Sequence, residues 1–145
     1  MQGKALIDQI LKSYSAGFHA HVLQGLQVVS AAPRSIRLQM PVLEHHLNVY
    51  GTLHGGMSAT LIDIGGSAAI CQVLQGSQSG VSTDMNVSMH SAAKLGETLE
   101  ISSFCERVGR YLAFTRTEIR VKDRLIASGS HTKFVYNAKD TLAKI

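Results

Sequence analysis

Asp63 is the only formally charged residue between Glu44 and Asp84. It lies in the middle of residues 55–71, a segment that is otherwise apolar or small, so the sequence predicts a buried carboxylate. Burying a carboxylate without a partner is costly, and such a group takes up a proton or finds a dedicated hydrogen bond. Carboxylates in these surroundings are candidates for general-base or nucleophilic work. A structural aspartate satisfied by serine or backbone groups is the alternative.

The composition is that of one folded domain of 145 residues, with 45% hydrophobic and 17% charged residues. The net charge of +4 is mild, and the sequence has no basic cluster with aromatics, so we expect no nucleic-acid partner. We also expect no secretory signal and no apolar run of membrane-spanning length. Cys71 and Cys105 have no metal-ligand spacing, so we expect no metal and no cofactor. We expect free thiols in a reducing compartment, either the cytoplasm or the mitochondrion.

The apolar periodicity predicts two helices and six strands in a single domain. The predicted helices cover residues 4–16 and 55–74, and the predicted strands cover residues 26–30, 36–40, 81–89, 99–108, 111–122 and 125–136. The central helix is apolar nearly all round, as an enclosed helix would be. Tight connections between the last three strands favour hairpins. The sequence therefore predicts an α+β domain, with a core over about residues 20–136, in which one long antiparallel sheet wraps around a buried helix.

A family resemblance rests on residues 48–63, which read Asn-Val-Tyr-Gly-Thr-Leu-His-Gly-Gly-Met-Ser-Ala-Thr-Leu-Ile-Asp. This segment resembles the signature of hotdog-fold acyl-CoA thioesterases of the phenylacetate-pathway branch. The His-Gly-Gly with an aspartate nine residues after the histidine is the specific part. The resemblance continues through residues 80–86, 93–97, 112–115 and 129–133. It implies a hotdog fold, hydrolysis of medium- to long-chain fatty acyl-CoA without a cofactor, and a homodimer or homotetramer.

The spacing of Gly55 and Asp63 carries a physical argument beside the resemblance. The Gly55 N–H lies in the first turn of the predicted helix, where amides lack intrahelical partners and the dipole is positive, so it can serve as an oxyanion hole. Asp63 is eight residues further on, about 12 Å along the helix axis. One thioester carbonyl cannot reach both residues of one helix. We therefore expect at least a dimer, with two equivalent sites formed by antiparallel helices.

Other polar residues match the family motif one at a time. Asn48 matches an asparagine that orients the thioester or the water, and a turn former before Gly51 is the alternative. His54 matches the motif histidine, which we interpret as a structural hydrogen-bonding group at the helix start. Ser82 matches a serine that holds the attacking water or the catalytic aspartate. His131 matches a strand position without an assigned catalytic role.

Coenzyme A recognition is also implied by the resemblance. The implied contact residues are Met89, His90, Ser91, Ala92, Ala93, Lys94, Arg107, Val108, Gly109, Arg110, Tyr111, Leu112 and Phe134. Lys94, Arg107 and Arg110 are cations that match the phosphates of the nucleotide, at what we expect to be one mouth of the interface groove. Close relatives usually have proline where this chain has Ala92, a departure that bears on the shape of this loop.

Two other functional classes stay open at this point. A hotdog-fold hydroxyacyl-thioester dehydratase or hydratase would use a histidine and an acid together, and the absence of an acid at Asn48 argues against it. A non-catalytic acyl-CoA-binding protein would keep the fold, but the retained Asp63 favours an enzyme. Within the enzyme hypothesis, Asp63 acts either as a nucleophile or as a general base.

Overall fold

The structure of the chain is a computed structural model that describes residues 2–76 and 79–135. The helices are α1 (Gln2–Ser13), α2 (Gly17–Val22) and α3 (Gly55–Leu74), with a 3-10 turn at Glu44–His46. The strands are β1 (Gln27–Ala32), β2 (Ser35–Pro41), β3 (Val81–Met89), β4 (Thr98–Val108), β5 (Leu112–Val121) and β6 (Arg124–Phe134).

The predicted elements correspond closely to the observed ones, with one exception. The single helix expected over residues 4–16 ends at Ser13, and a second short helix, α2, follows it. Gly17, at the start of α2, has a φ of 66°, a left-handed conformation that glycine adopts without steric cost. The expected end of the last strand at residue 136 lies outside the described residues, as do residues 77 and 78 of the predicted loop.

All six strands form one antiparallel sheet in the order β1-β2-β4-β5-β6-β3. The predicted alternation along β5 is confirmed, since every second side chain from Ala113 to Val121 is buried on the face that meets the helix. The order leaves β1 and β3 as the two edge strands of the sheet. A long antiparallel sheet around one helix is therefore observed as expected.

Helix α3 lies against the concave face of the sheet, where it contacts β2, β4, β5 and β6. Gly65 and Gly66 permit this close approach. A Cβ at Gly66 would lie 2.6 Å from Thr115 Oγ1, and one at Gly65 would collide with Ser103 Oγ. The helix-propensity cost of two adjacent glycines, about 1 kcal/mol each, is thus the consequence of packing a helix directly on strands.

The expectation that no apolar run reaches membrane-spanning length is wrong as a statement about length. Helix α3 has 20 residues and a mean hydropathy of 1.4, which meets the requirement. However, 72% of its most apolar window is buried inside the fold. The helix packs its apolar surface against the sheet, as core helices do.

Candidate active site

Asp63 lies on the side of α3 that meets β6. Its side chain is 38% exposed in the single chain, so the prediction of a fully buried carboxylate is wrong. Ser67, one turn further along α3, donates a hydrogen bond from Oγ to Asp63 Oδ1 at 3.4 Å. His131 Nδ1 lies 3.7 Å from the same oxygen. The carboxylate therefore accepts a hydrogen bond from Ser67, lies near His131 Nδ1 without a hydrogen bond to it, and is open to solvent on its other side.

His131 connects Asp63 to Ser82. Its side chain is 1% exposed, and its Nε2 lies 2.8 Å from Ser82 Oγ. Burial lowers the pKa of His131, while the nearby Asp63 carboxylate opposes this shift, so the imidazole is neutral at pH 7. The tautomer that suits both neighbours has Nδ1–H directed toward Asp63 and Nε2 accepting from the Ser82 hydroxyl. Asp63, His131 and Ser82 thus form one row across α3, β6 and β3.

The start of α3 presents an uncapped amide at Gly55. His54 is the N-cap residue, and its Nδ1 accepts the Gly56 N–H at 2.8 Å. The His54 carbonyl accepts the N–H groups of Met57 and Ser58. Within the described residues, no acceptor contacts the Gly55 N–H, which leaves that donor available to a ligand oxygen.

Met89 covers the same amide from the side. A Cβ at Gly55 would lie 2.8 Å from Met89 Cε, so glycine is the residue that leaves room between this methionine and the helix end. A backbone N–H without an intrahelical partner at the positive end of a helix suits an oxygen that gains negative charge during a reaction.

Asn48 organises the loop that precedes the helix. Its Oδ1 accepts the N–H groups of Tyr50 and Thr52 at 2.9 and 3.1 Å, and its Nδ2 donates to Thr52 Oγ1 at 3.0 Å. Gly51, with a φ of 76°, completes the turn. The structure therefore places Asn48 as the turn former, and one amide hydrogen stays available for a further contact.

His46, which sequence reasoning left without a role, is buried under this loop. Its Nδ1 accepts the Leu43 N–H at 3.0 Å, its Nε2 lies 2.7 Å from the Val22 carbonyl, and its own carbonyl accepts the His54 N–H. His46 is 1% exposed, whereas its neighbour His45 is exposed. His46 joins α2 to the residues that start α3.

The segment 89–94 is tied to the same end of the sheet as Gly55. Arg124 Nη1 donates to the Ala92 carbonyl at 2.6 Å, and the Ala93 carbonyl accepts the Leu53 N–H at 2.8 Å. The Lys94 N–H binds Glu97 Oε2 at 2.7 Å. These contacts hold the loop around Ala92 in place. His90 and Ser91 also bind β6, through Ser128 Oγ and the Leu125 carbonyl.

The segment 107–112 lies with Phe134 at the opposite end. Tyr111 and Phe134 stack with ring centroids 6.1 Å apart, and the Arg110 guanidinium lies 5.1 Å from the Tyr111 ring centroid. Met89 pairs with Ala127 and Leu112 pairs with Phe134. Those two positions of β6 are about 23 Å apart along the strand.

The cations expected at one mouth are therefore not brought together within one chain. Lys94 lies at the end that holds Gly55, while Arg107 and Arg110 lie at the other end of the sheet. The common mouth of an interface groove therefore stays a prediction that requires two copies, the same condition that the spacing of Gly55 and Asp63 sets.

Comparison with known proteins identifies a family. The Thioesterase superfamily profile matches residues 50–128. Human acyl-coenzyme A thioesterase 13 is 43% identical over 80% of this chain and 84% of its own length. Crystal structures of thioesterase superfamily member 2 superpose with TM-scores of 0.82 for zebra fish and 0.77 for mouse. The zebra fish chain is 42% identical and the mouse chain 36%; each match covers 88% of this chain, and 94% and 95% of the respective relatives.

The chain belongs to the thioesterase superfamily. It is a thioester hydrolase with the hotdog fold, as the motif around His54 and Asp63 predicted. Sequence reasoning did not predict His131 and Lys133 as site residues, although the structure places them next to Asp63 and Ser67. The sequence signals for them are the family resemblance over residues 129–133 and their common face of β6, two positions apart, but the sequence does not show what that face meets.

Proposed function

We propose that this thioester hydrolase acts on fatty acyl-CoA of medium to long chain length and releases the free fatty acid and coenzyme A. The name of the human relative, acyl-coenzyme A thioesterase 13, supports the substrate class. The row Asp63–His131–Ser82 carries the assignment of chemistry, because it combines a partly exposed carboxylate with a neutral imidazole and a hydroxyl.

Asp63 acts in this proposal as a general base. A water bound to Asp63 attacks the thioester carbonyl carbon while Asp63 takes its proton. The carbonyl oxygen becomes an oxyanion that the Gly55 N–H of a second copy stabilises. When the carbon–sulfur bond breaks, the proton on Asp63 passes to the leaving thiolate. The net reaction consumes one water and yields a carboxylic acid and a thiol.

Pairing through the edge strand β3 builds such a site. In one chain, Ser82 lies near the start of β3 beside His131, and Met89, at its end, lies against Gly55. Antiparallel pairing of two β3 strands about an axis between Met85 and Asn86 sets Ser82 of one copy beside Met89 of the other. Asp63 of one copy then faces Gly55 of the other.

The same pairing unites the two sets of coenzyme A contacts. The end of the sheet with Arg107, Arg110 and Tyr111 in one copy comes beside the segment 89–94 of the other. Phosphates in this groove would meet arginines from one subunit and Lys94 from its partner. Both copies contribute equally, so the dimer has two sites, and a dimer of such dimers gives the tetramer we also propose.

Buried free thiols at Cys71 and Cys105 favour a reducing compartment, the cytoplasm or the mitochondrion.

Release of free thiol from acyl-CoAs of graded chain length tests the proposal. We expect the highest kcat/KM for medium to long chains, and for Asp63→Asn we expect kcat to fall by at least about 100-fold while acyl-CoA binding persists. A folded Asp63→Asn protein with near-normal kcat would refute the role of Asp63.

A single turnover in ¹⁸O-labelled water tests whether this carboxylate attacks the substrate directly. A general base leaves the label in the fatty acid alone, because the labelled oxygen enters the substrate directly. Label in the peptide that contains Asp63 would show instead that the carboxylate attacks the substrate.

A further inference from the structure

Lys133 is a buried ammonium that none of the steps above uses. It lies on β6, its residue is 6% exposed, and its Nζ donates to Ser67 Oγ at 2.7 Å and to Ser79 Oγ at 2.9 Å. Lysine is almost never buried without a partner that compensates for its desolvation. Two hydroxyls compensate only weakly for the desolvation of the ammonium. A negative charge lies beyond one of them.

That charge is Asp63. Ser67 receives the Lys133 hydrogen bond and donates its own hydrogen to Asp63 Oδ1 at 3.4 Å. The two bonds place the ammonium at most about 6 Å from the carboxylate oxygen, within the range over which an opposite charge favours ionisation. One hydroxyl therefore links a buried cation to the proposed base.

The link follows from the register of a helix on a strand. Asp63 and Ser67 are one turn apart on α3, about 6 Å along its axis. His131 and Lys133 are two residues apart on the inward face of β6, about 6.6 Å along the strand. Because the two spacings match, Asp63 lies opposite His131 while Ser67 lies opposite Lys133.

Of the other titratable groups around Asp63, Tyr14, Cys71 and His131 are neutral at pH 7, and Asp84 carries a negative charge. Just after α1, Tyr14 has its pKa raised to about 12 by burial, with Cys71 and Asp63 adding to the shift. On α3, burial raises the pKa of Cys71 to about 11. On β6, burial lowers the pKa of His131 below its usual value. On β3, the carboxylate of Asp84 acts on His131 as a further negative charge.

Two opposing effects act on the pKa of Lys133. Burial lowers the pKa of its ammonium, while the negative charge of Asp63 opposes that shift. The cation and the carboxylate therefore stabilise each other across the Ser67 hydroxyl.

We propose that Lys133 is a positioning residue of the thioesterase site, which acts through Ser67 to keep Asp63 ionised and oriented toward the substrate. The proposal rests on the proposed function, in which Asp63 is the base. It gives Ser67 a defined role as the relay. It also explains why an ammonium is retained on the inward face of a core strand.

The experiment measures kcat/KM against pH for Lys133→Met, with Lys12→Met as the matched control because Lys12 is an exposed lysine on α1. Methionine keeps the length of the side chain without its charge. We expect the acid limb of the Lys133→Met profile to move to higher pH by at least about one unit, while KM on the plateau stays unchanged. The Lys12→Met profile should match wild type. An unshifted acid limb in folded Lys133→Met protein would overturn the proposal.

Ser67→Ala provides an independent variant should Lys133→Met not fold, since it removes only the relay hydroxyl. It should shift the acid limb in the same direction, and Ser67→Thr, which retains a hydroxyl, should restore the wild-type profile. Unshifted Ser67→Ala, or Ser67→Thr that behaves like the alanine variant, would contradict the relay.

A double variant separates this proposal from the proposed function. If Lys133 acts through Asp63, Lys133→Met should leave the residual kcat of Asp63→Asn unchanged. A further loss in the double variant would mean that Lys133 acts elsewhere. Full activity of Asp63→Asn alone would instead refute the proposed function, whatever the lysine variants do.

Discussion

Two inactive variants are expected to restore activity when their subunits exchange. Asp63→Asn lacks the base, and Gly55→Val obstructs the oxyanion amide, because even the Cβ of the new side chain would lie 2.8 Å from Met89 Cε. Each homodimer then has two defective sites. In a mixed dimer, Asp63 from the valine variant faces Gly55 from the asparagine variant, so one of the two sites is complete.

The size of the recovery follows from the pairing. After random exchange of equal amounts, about half of the dimers are mixed and each has one intact site, so about a quarter of the wild-type activity should appear. The assay is thiol release from palmitoyl-CoA, with subunits of distinct tags to measure exchange by native mass spectrometry. The eight-residue separation of Gly55 and Asp63 on one helix, about 12 Å, is what excludes a site within one chain.

A matched control uses wild type mixed with the double variant Asp63→Asn/Gly55→Val. In the shared-site arrangement every mixed dimer is inactive, so exchange should lower the activity of the mixture from about half to about a quarter of that of pure wild type. A site contained in one chain would keep it at half. Mixed dimers that form in the expected amount but show no recovery, together with a control that stays at half, would refute the reasoning.

Three further outcomes are expected. Arg110→Ala should raise KM for acyl-CoA with little change in kcat. This effect should shrink as salt rises and should be absent for an acyl-pantetheine. Equal shifts in KM for both substrates would mean that Arg110 does not bind the nucleotide. The free energy of unfolding in urea should fall as pH drops below about 6.5, by at most about 1.4 kcal/mol per pH unit for each of His46 and His131. Burial lowers the pKa of both residues, so the unfolded chain binds more protons than the folded one. A flat profile from pH 7.5 to 5 would contradict this. Gly66→Ala should destabilise the fold by about 1–3 kcal/mol, because its Cβ would lie 2.6 Å from Thr115 Oγ1, whereas Gly76→Ala, with open space around it, should cost little in the same unfolding measurement.

The elements themselves were predictable because their signals are local. Strict alternation from Ala113 to Val121 identifies an inward face without knowledge of any neighbour, and the apolar segment after Gly55 is long enough to specify a helix. The break between α1 and α2 was missed because the apolar pattern runs on through it, while the turn depends on the backbone of Gly17.

The sequence predicts only those candidate site residues whose type or spacing is unusual by itself. Asp63 stands out because it is the one charge in an apolar segment, and the His54–Gly55 motif because its spacing is specific. The exposure of the Asp63 side chain was not predictable, since a mostly buried helix still has one side that no strand covers.

The sequence by itself determined the order of the elements and the membership of the superfamily, since each depends on the spacing of residues near one another in the chain. The tertiary structure alone decided that His131 and Lys133 meet Asp63 and Ser67, and that Lys94 and Arg110 lie at opposite ends of the sheet. These contacts join residues far apart in the chain. They depend on how strands pair and where the helix lies across them, and no local pattern of residues encodes either.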